Sequence, residues 1–259
     1  MAYSKRYLIL TLAAAVCLLS TPVIRGQSAP GEQPVTFRTL AVGEDVIDVF
    51  YNDQRGRPVS VAATDGGFSA PYICPTDGLV SFYRLIPAVP PESKPHRVPM
   101  AEARLGKGGP WLLLMGASGP DRPPHLDVRA VDDTWAAHPV ETMRVFNFSR
   151  RRAFVKVGET AFELATGGSQ IVSYPKGVDQ VWVKAAMMEE RGWVMRVGGP
   201  QATIPKTRST LILADSPPPT KDANARLFRA INAEPSRDVL NNILVDVAPV
   251  PPVALASRP

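Results

Sequence analysis

The chain has 259 residues and a formal net charge of +5, and it contains 27 prolines, two cysteines and three histidines. Because proline breaks helix interiors, this proline content argues against an all-helical protein. So few cysteines and histidines exclude a disulfide framework and leave little material for a structural zinc site, and we expect no cofactor and no metal. Hydrophobic residues make up 45% of the chain, which excludes wholesale disorder.

The first 26 residues have the pattern of a secretory signal peptide. Lys5 and Arg6 precede an apolar run from Tyr7 to Leu19, and Gly26 follows after small and turn-forming residues. Cleavage after Gly26 removes three basic residues and no acid, which lowers the charge from +5 to +2. Export and this small charge argue against a nucleic-acid partner and place the protein in the periplasm or outside the cell. The alternative is an uncleaved membrane anchor, since residues 7–24 are uncharged.

The rest of the sequence is predicted to contain two copies of one repeated unit. Six short segments recur in the same order at an offset of about 100 residues, and each is rich in β-branched, aromatic or leucine residues and bounded by turn formers. The pairs are 37–40 with 143–146, 46–51 with 153–157, 63–67 with 165–168, 79–84 with 180–184, 111–115 with 210–214, and 128–132 with 228–232. This repetition predicts a duplicated β domain.

The segments alternate as half-buried strands do. The valines of Val181-Trp182-Val183-Lys184 are expected to face one way and Trp182 and Lys184 the other. Residues 153–157 alternate in the same way. The segments 111–115 and 211–213 are continuously apolar, which predicts central strands covered on both faces. A short helix is expected to begin near Pro235 and to run to Leu244.

Strands at this spacing are typical of an immunoglobulin-like β-sandwich. We therefore predict an all-β protein of two tandem immunoglobulin-like β-sandwich domains after a signal peptide. The predicted limits are 1–26 for the signal peptide, 35–137 and 138–245 for the two domains, and 246–259 for a proline-rich tail. A single larger barrel or two-sheet fold is the alternative.

No motif in the sequence specifies catalysis. Serines within 67–71 and 116–120 lack the glycine spacing of a nucleophile elbow and are expected to lie in turns. Cys74 beside Pro75 is expected to be a buried apolar thiol, with a catalytic or intermolecular role as the alternative. His96, His125 and His138 are expected to be exposed or locally hydrogen-bonded rather than metal ligands.

Acidic residues are densest between the two units, at Asp121, Asp127, Asp132 and Asp133. We expect them to form a solvated linker. Calcium binding is the alternative, because carboxylates at such spacing supply oxygen ligands, although no calcium-loop motif is present.

Two arginine-rich turns are the predicted binding surface. Each is expected to lie near the second strand of its unit, where its charge could meet an acidic polysaccharide, a lipid headgroup or a protein. The predicted binding residues are Arg55, Arg57, Arg150, Arg151 and Arg152. The alternative is that these arginines are only solvated. The proline-rich segment 87–99 is expected to be an exposed loop beside this surface, and Asn147-Phe148-Ser149 fits the pattern of an N-glycosylation acceptor.

Three aromatic residues carry the remaining functional signal. Tyr83, Trp182 and Trp193 are predicted to fill the space between sheets, as strand aromatics commonly do. The alternative is a flat aromatic row that binds sugar rings. Solvent exposure of Trp182 or Trp193 distinguishes the two.

Residues 143–149, 155–158 and 168–170, followed by Tyr174-Pro175, resemble exported bacterial β-sandwich proteins. This broad group includes uncharacterised envelope proteins and the periplasmic accessory protein of alginate acetylation. In the group, a strand of the type arginine-valine-aromatic-asparagine opens the domain; the first unit departs from it, with Ala41 in place of the asparagine. The resemblance implies a non-catalytic envelope module.

We therefore expect a non-catalytic exported envelope protein that acts as a binding or scaffolding module, with an envelope protein or polysaccharide as its partner. The alternatives are a carbohydrate-binding module and an envelope hydrolase. A hydrolase requires Asp, Glu, His or Ser side chains from separate strands to converge in one cleft.

Overall fold

The structure is a computed structural model that describes residues 34–88, 95–117, 125–215 and 239–247. These residues are all-β: they form sixteen strands in four sheets of four, with no helix. Among them there is accordingly no helical segment that could span a bilayer. The predicted signal peptide and residues 248–259 of the predicted tail lie outside the described residues.

The first eight strands form two sheets that share one core. Sheet I has the strand order β4-β1-β7-β8 and sheet II the order β3-β2-β5-β6. Apolar side chains from both sheets, among them Phe37, Val49, Phe82 and Leu113, belong to a single buried cluster. The strands are β1 (Thr36–Ala41), β2 (Val46–Asn52), β3 (Pro58–Ala63), β4 (Tyr72–Ile73), β5 (Leu79–Ile86), β6 (His96–Arg104), β7 (Trp111–Ala117) and β8 (Leu126–Asp132).

The second eight strands repeat this arrangement. Sheet III has the order β12-β9-β15-β16 and sheet IV the order β11-β10-β13-β14. Met143, Val155, Val183 and Leu211 belong to their shared buried cluster. The strands are β9 (Thr142–Asn147), β10 (Ala153–Val157), β11 (Thr160–Leu164), β12 (Ser169–Ser173), β13 (Gln180–Glu189), β14 (Gly192–Ala202), β15 (Thr207–Asp215) and β16 (Val239–Val247).

Strand order and direction are the same in both halves. The first strand of each half pairs in parallel with the seventh, β1 with β7 and β9 with β15, and the hairpin partners correspond throughout. Five of the six predicted segment pairs lie on or directly beside equivalent strands. The sixth pair included 228–232, which lies outside the described residues. The strand equivalent to β8 is β16, so the helix predicted to end at Leu244 was wrong over the described residues.

Burial within the strands confirms the predicted alternation. Val181 and Val183 are 4% and 1% exposed, whereas Trp182 and Lys184 between and after them face solvent. Ala153, Val155 and Val157 are likewise buried while Phe154 is exposed. Each half is therefore sandwich-like, with one face of each sheet turned to its own core.

A third apolar cluster lies between the two halves. Leu40, Leu112 and Leu114 of sheet I pack with Phe146 and Ile212 of sheet III. Because Leu113 faces the first core while its neighbours face this cluster, β7 is covered on both faces, as its continuous apolar sequence predicted. The described residues from both halves accordingly form one compact unit.

Beside this cluster, ion pairs join the connection between β8 and β9 to both halves. Arg208 Nη2 lies 3.0 Å from Asp133 Oδ1 and 3.0 Å from Asp246 Oδ2. Arg38 Nη2 from the first half donates to the same two carboxylates, at 2.6 and 2.7 Å. The Arg208 guanidinium also lies 3.9 Å from the ring centroid of Trp135. Burial alone raises the pKa of Asp246, but the bonds and charges of Arg38 and Arg208 outweigh burial and lower it.

The expected solvated acidic linker was wrong for Asp133, which is only 2% exposed because the two arginines neutralise it inside the junction. Asp127 and Asp132 are exposed, and Asp121 lies outside the described residues. His138 was expected to be exposed or locally hydrogen-bonded, and at 1% exposure it is buried instead of exposed. Burial, together with Arg144 and Arg208, lowers the pKa of His138 to about 3, so its imidazole is neutral in the folded protein. His96 and His125 are exposed, as expected.

Candidate functional site

The outward side of sheet IV presents large apolar side chains to solvent. Trp182 and Met195 are each 57% exposed, and Phe154 and Trp193 are each 40% exposed. They point outward because they alternate with side chains of the second core. This surface is made by Phe154, Trp182, Trp193 and Met195, with Lys156 and Lys184 between them. We call it the aromatic face.

One end of the aromatic face is a cluster of rings. The Phe154 and Trp193 centroids are 5.9 Å apart and tilted by 58°. Met195 lies opposite Ala186, which is also the register partner of Phe154, so the three strands bring these side chains together. The Arg152 guanidinium lies 5.8 Å from the Trp193 centroid and is paired with Glu163 at 3.2 Å.

The other end is built around Trp182. Its register partner on β14 is Pro200, and the Lys184 Nζ lies 5.9 Å from its ring centroid. Ala186 is four positions after Trp182 on β13, which is about 13 Å at the usual rise of a strand. The aromatic face is therefore an elongated surface with indole rings towards both ends.

The aromatic prediction was wrong for the two tryptophans and right only in part for Tyr83. Tyr83 is buried, at 6% exposure, but it stacks on Phe50, which alternates with the core residues Val49 and Tyr51, so it lies on the outward side of sheet II. Trp182 and Trp193 are exposed rather than packed between sheets. Sequence reasoning also missed Phe154 and Met195 as surface residues. The signal that identifies the exposed face is the lysine two residues after Trp182 and after Phe154, because alternation puts each lysine on the same side as the ring.

The first predicted arginine turn connects β2 to β3. Asp53 organises it: its Oδ1 accepts the backbone N–H of Arg55 and Arg57, and its Oδ2 pairs with the Arg57 guanidinium at 2.8 Å. Gly56 has a positive φ of 73°, which this tight turn requires. The Arg55 and Arg57 side chains are exposed at the turn.

The second arginine group lies between β9 and β10, which corresponds to the β1–β2 connection of the first half and not to the Arg55 turn. Arg151 is largely internal, with Nη2 2.6 Å from Asp215 and Nη1 3.2 Å from Glu189. Arg150 is exposed, but its backbone N–H donates to Asp215. Burial acts to raise the pKa of Asp215, and the bonds from Arg150, Ser149 and Arg151 outweigh burial and lower it. Of this group, Arg152 alone reaches the aromatic face.

Sheet II borders a groove of about 410 Å³. Asp53, Asp77 and Glu102 line it together with Tyr83 and Arg97, whose guanidinium lies 4.4 Å from the Tyr83 centroid. The carboxylates come from two turns and one strand. Hydrogen bonds from the Arg57 backbone and the Arg57 charge lower the pKa of Asp53, so that this carboxylate stays ionised. Among the described residues no group of histidine, cysteine and acidic side chains is placed to hold a metal ion.

Cys74 is the buried thiol that the sequence predicted. It is 1% exposed, and burial raises its pKa to about 11, so it is protonated and shielded at neutral pH.

Asn147 of the glycosylation pattern is 0% exposed, and its Nδ2 donates to the carbonyls of Arg151 and Leu164. The folded protein therefore does not offer this amide to a glycosyltransferase; the asparagine instead holds the β9–β10 connection in place. The proline-rich segment 87–99 was predicted to be a loop, but β6 already begins at His96, and 89–94 lie outside the described residues.

Comparison with protein-family models and with curated proteins gives no match to this chain.

Proposed function

We propose that the protein is a non-catalytic, exported binding module of the cell envelope, and that it binds glycan chains through the aromatic face. The observation that carries this proposal is the exposure of four large apolar side chains side by side on one sheet. Trp182 and Trp193, two of the four, are the most informative, since solvent exposure is what distinguishes a sugar-binding aromatic row from core packing.

Physical chemistry supports a binding role for such a surface. Exposed apolar side chains are normally scattered singly on a soluble protein, and contiguous patches mark interaction sites. Tryptophan offers a large, rigid, flat area at low conformational-entropy cost. The flat, apolar face of a sugar ring fits an indole that stands on a rigid β-sheet, because neither partner has to reorganise.

We propose that each half is an immunoglobulin-like sandwich and that the two are tandem domains. Support comes from the identical strand order of the two halves and from the parallel pairing of the first and seventh strands in each. The shared cluster around Leu40 and Phe146 packs the two sandwiches into one unit. In this arrangement the first half serves as a scaffold for the second.

Export is proposed from the signal-like pattern of residues 1–26, with retention by an uncleaved N-terminal segment as the alternative. The expected partner is an envelope polysaccharide or protein. The resemblance of residues 143–149 to exported envelope proteins agrees with this compartment.

One observation favours a hydrolase as a second candidate. The groove beside sheet II gathers carboxylates of Asp77 and Glu102 near Tyr83 and Arg97. If the groove hydrolyses glycans, Glu102→Gln and Asp77→Asn abolish release of reducing ends. If the protein is only a binding module, the wild type releases none and both variants bind glycan normally.

Co-sedimentation with isolated, insoluble envelope polysaccharide tests the proposed function. We expect the wild type to sediment and the Trp182→Ala/Trp193→Ala variant to remain in solution. Ile47→Ala is the matched control, because Ile47 is also 57% exposed but lies on β2 in the first half. Equal sedimentation of all three proteins contradicts the proposal. Alanine replacement of Arg55, Arg57 and Arg150 tests in the same assay whether the predicted arginine turns contribute.

A further inference from the structure

We propose that the ligand of the aromatic face is a carboxylated polysaccharide, whose sugar rings stack on Trp182 and Trp193 and whose carboxylates lie between Lys156 and Lys184. This inference rests on the proposed function and adds the chemical class of the ligand.

The first observation is a pair of like charges placed directly opposite each other. Lys156 on β10 and Lys184 on β13 are register partners on the exposed side of sheet IV. Like charges directly opposite each other on neighbouring strands destabilise a sheet. The fold gains nothing from this arrangement, whereas an anion lying between the two ammonium groups is attracted to both.

The second observation is how little these charges are neutralised by the protein. The Lys156 Nζ lies 3.1 Å from the Glu159 carboxylate. This ion pair is weak because Glu159 is 95% exposed and water screens its charge. Lys184 contacts the Trp182 ring, and no carboxylate of the described residues forms an ion pair with it. An anionic ligand therefore meets at least one cation without having to displace a buried partner.

The third observation is that the surface of β14 next to Lys184 carries no side chain. Gly198 on β14 is the register partner of Lys184, and the space that a Cβ would occupy there has no atom within 4 Å. The surface is thus low next to Lys184 and rises towards Met195 on one side and Pro200 on the other. A sugar ring can lie over Gly198 while its carboxylate reaches the ammonium group.

The dimensions suit a chain rather than a single sugar. Trp193 pairs with Met188, which is six positions after Trp182 on β13. At the rise of a strand this is about 20 Å. The lysines lie between the two ends, so ring stacking at the ends and charge in the middle act on the same extended ligand.

Polygalacturonate and its fully methyl-esterified form are the probes, because they share one backbone and differ only in free carboxylates. In titration calorimetry at low salt we expect the wild type to bind the acid form at least about tenfold more tightly than the ester. Lys184→Gln is expected to weaken binding of the acid form by about tenfold and to leave binding of the ester unchanged. Lys176→Gln, an exposed lysine outside the aromatic face, is the control and keeps wild-type affinity.

Gly198→Glu is the second variant, chosen because the Gly198 backbone is not in the left-handed region and its site is open, so the variant folds. The substitution places a carboxylate beside Lys184 and is expected to abolish the preference for the acid form. Gly198→Gln fills the same space without charge, and it retains the preference if charge is the cause.

The outcomes separate this inference from the proposed function. If acid and ester bind equally and Trp182→Ala weakens both, the aromatic face binds glycans but the carboxylate assignment is wrong. If neither probe binds and neither does envelope polysaccharide, the proposed function fails as well. If sedimentation velocity shows a dimer that Trp182→Ala dissociates, the face is an interface between two copies and both proposals are overturned.

Discussion

Replacement of His138 by glutamine is expected to make the stability of the protein much less dependent on pH between pH 7 and pH 4.5. His138 lies in the junction between the halves, 1% exposed, and its Nε2 has no hydrogen-bond partner among the described residues. Its surroundings include the cations Arg144 and Arg208, which together with burial disfavour the imidazolium form.

The magnitude follows from the two pKa values. The folded-state pKa of His138 is about 3, and an unfolded histidine titrates near about 6.5. Because the folded pKa is depressed, the contribution of the neutral imidazole is fully present above pH 6.5 and is lost as the pH falls from about 6.5 to about 3. The free energy of unfolding therefore falls by on the order of 3 kcal/mol between pH 6.5 and pH 4.5.

Urea unfolding followed by tryptophan fluorescence at pH 7 and pH 4.5 measures this difference. The wild type is expected to lose on the order of 3 kcal/mol, and His138→Gln close to none beyond the small loss from carboxylates, which both proteins share. His125→Gln, at an exposed position, keeps the wild-type loss. If His138→Gln becomes as acid-sensitive as the wild type, the buried neutral imidazole is not the cause and the reasoning is refuted.

Three further predictions concern the scaffold. Arg208→Ala leaves the carboxylates of Asp133 and Asp246 with one arginine fewer and is expected to lower the free energy of unfolding by about 3–5 kcal/mol in urea; a loss below about 1 kcal/mol contradicts the role of the ion pairs. Asn147→Ala removes three hydrogen bonds, two donated by Nδ2 and one that Oδ1 accepts from the Ser149 N–H, and is expected to cost about 2–3 kcal/mol in the same assay, whereas an unchanged midpoint shows that the β9–β10 connection is held by other contacts. Cys74 is expected to react with a thiol reagent only in denaturant; rapid reaction of the native protein contradicts its burial.

Much of the fold could be predicted because alternation and repetition are local signals. The alternation of Val181 and Val183 with Trp182 showed which side chains share a face of the strand. The continuous apolar run 111–115 predicted a strand that is covered on both faces. The repeat placed equivalent strands in both halves without knowledge of the pairing.

Alternation does not show which face of a sheet is covered, and this explains the misassigned tryptophans. Trp182 is apolar enough for a core, and it is exposed because none of the four described sheets covers the outer side of sheet IV. The same limit applies to the junction. Asp133 and His138 look solvated in sequence, and their burial follows from Arg38 and Arg208, which are respectively 95 and 75 residues from Asp133 along the chain.

The most direct test of the central claim observes the indole groups themselves. The chain has four tryptophans, of which Trp182 and Trp193 lie on the aromatic face and Trp111 and Trp135 lie elsewhere as internal controls. In a ¹⁵N-labelled sample titrated with soluble envelope polysaccharide, we expect the indole N–H signals of Trp182 and Trp193 to shift in proportion to binding while those of Trp111 and Trp135 stay in place. Binding that leaves the Trp182 and Trp193 signals unmoved would contradict it.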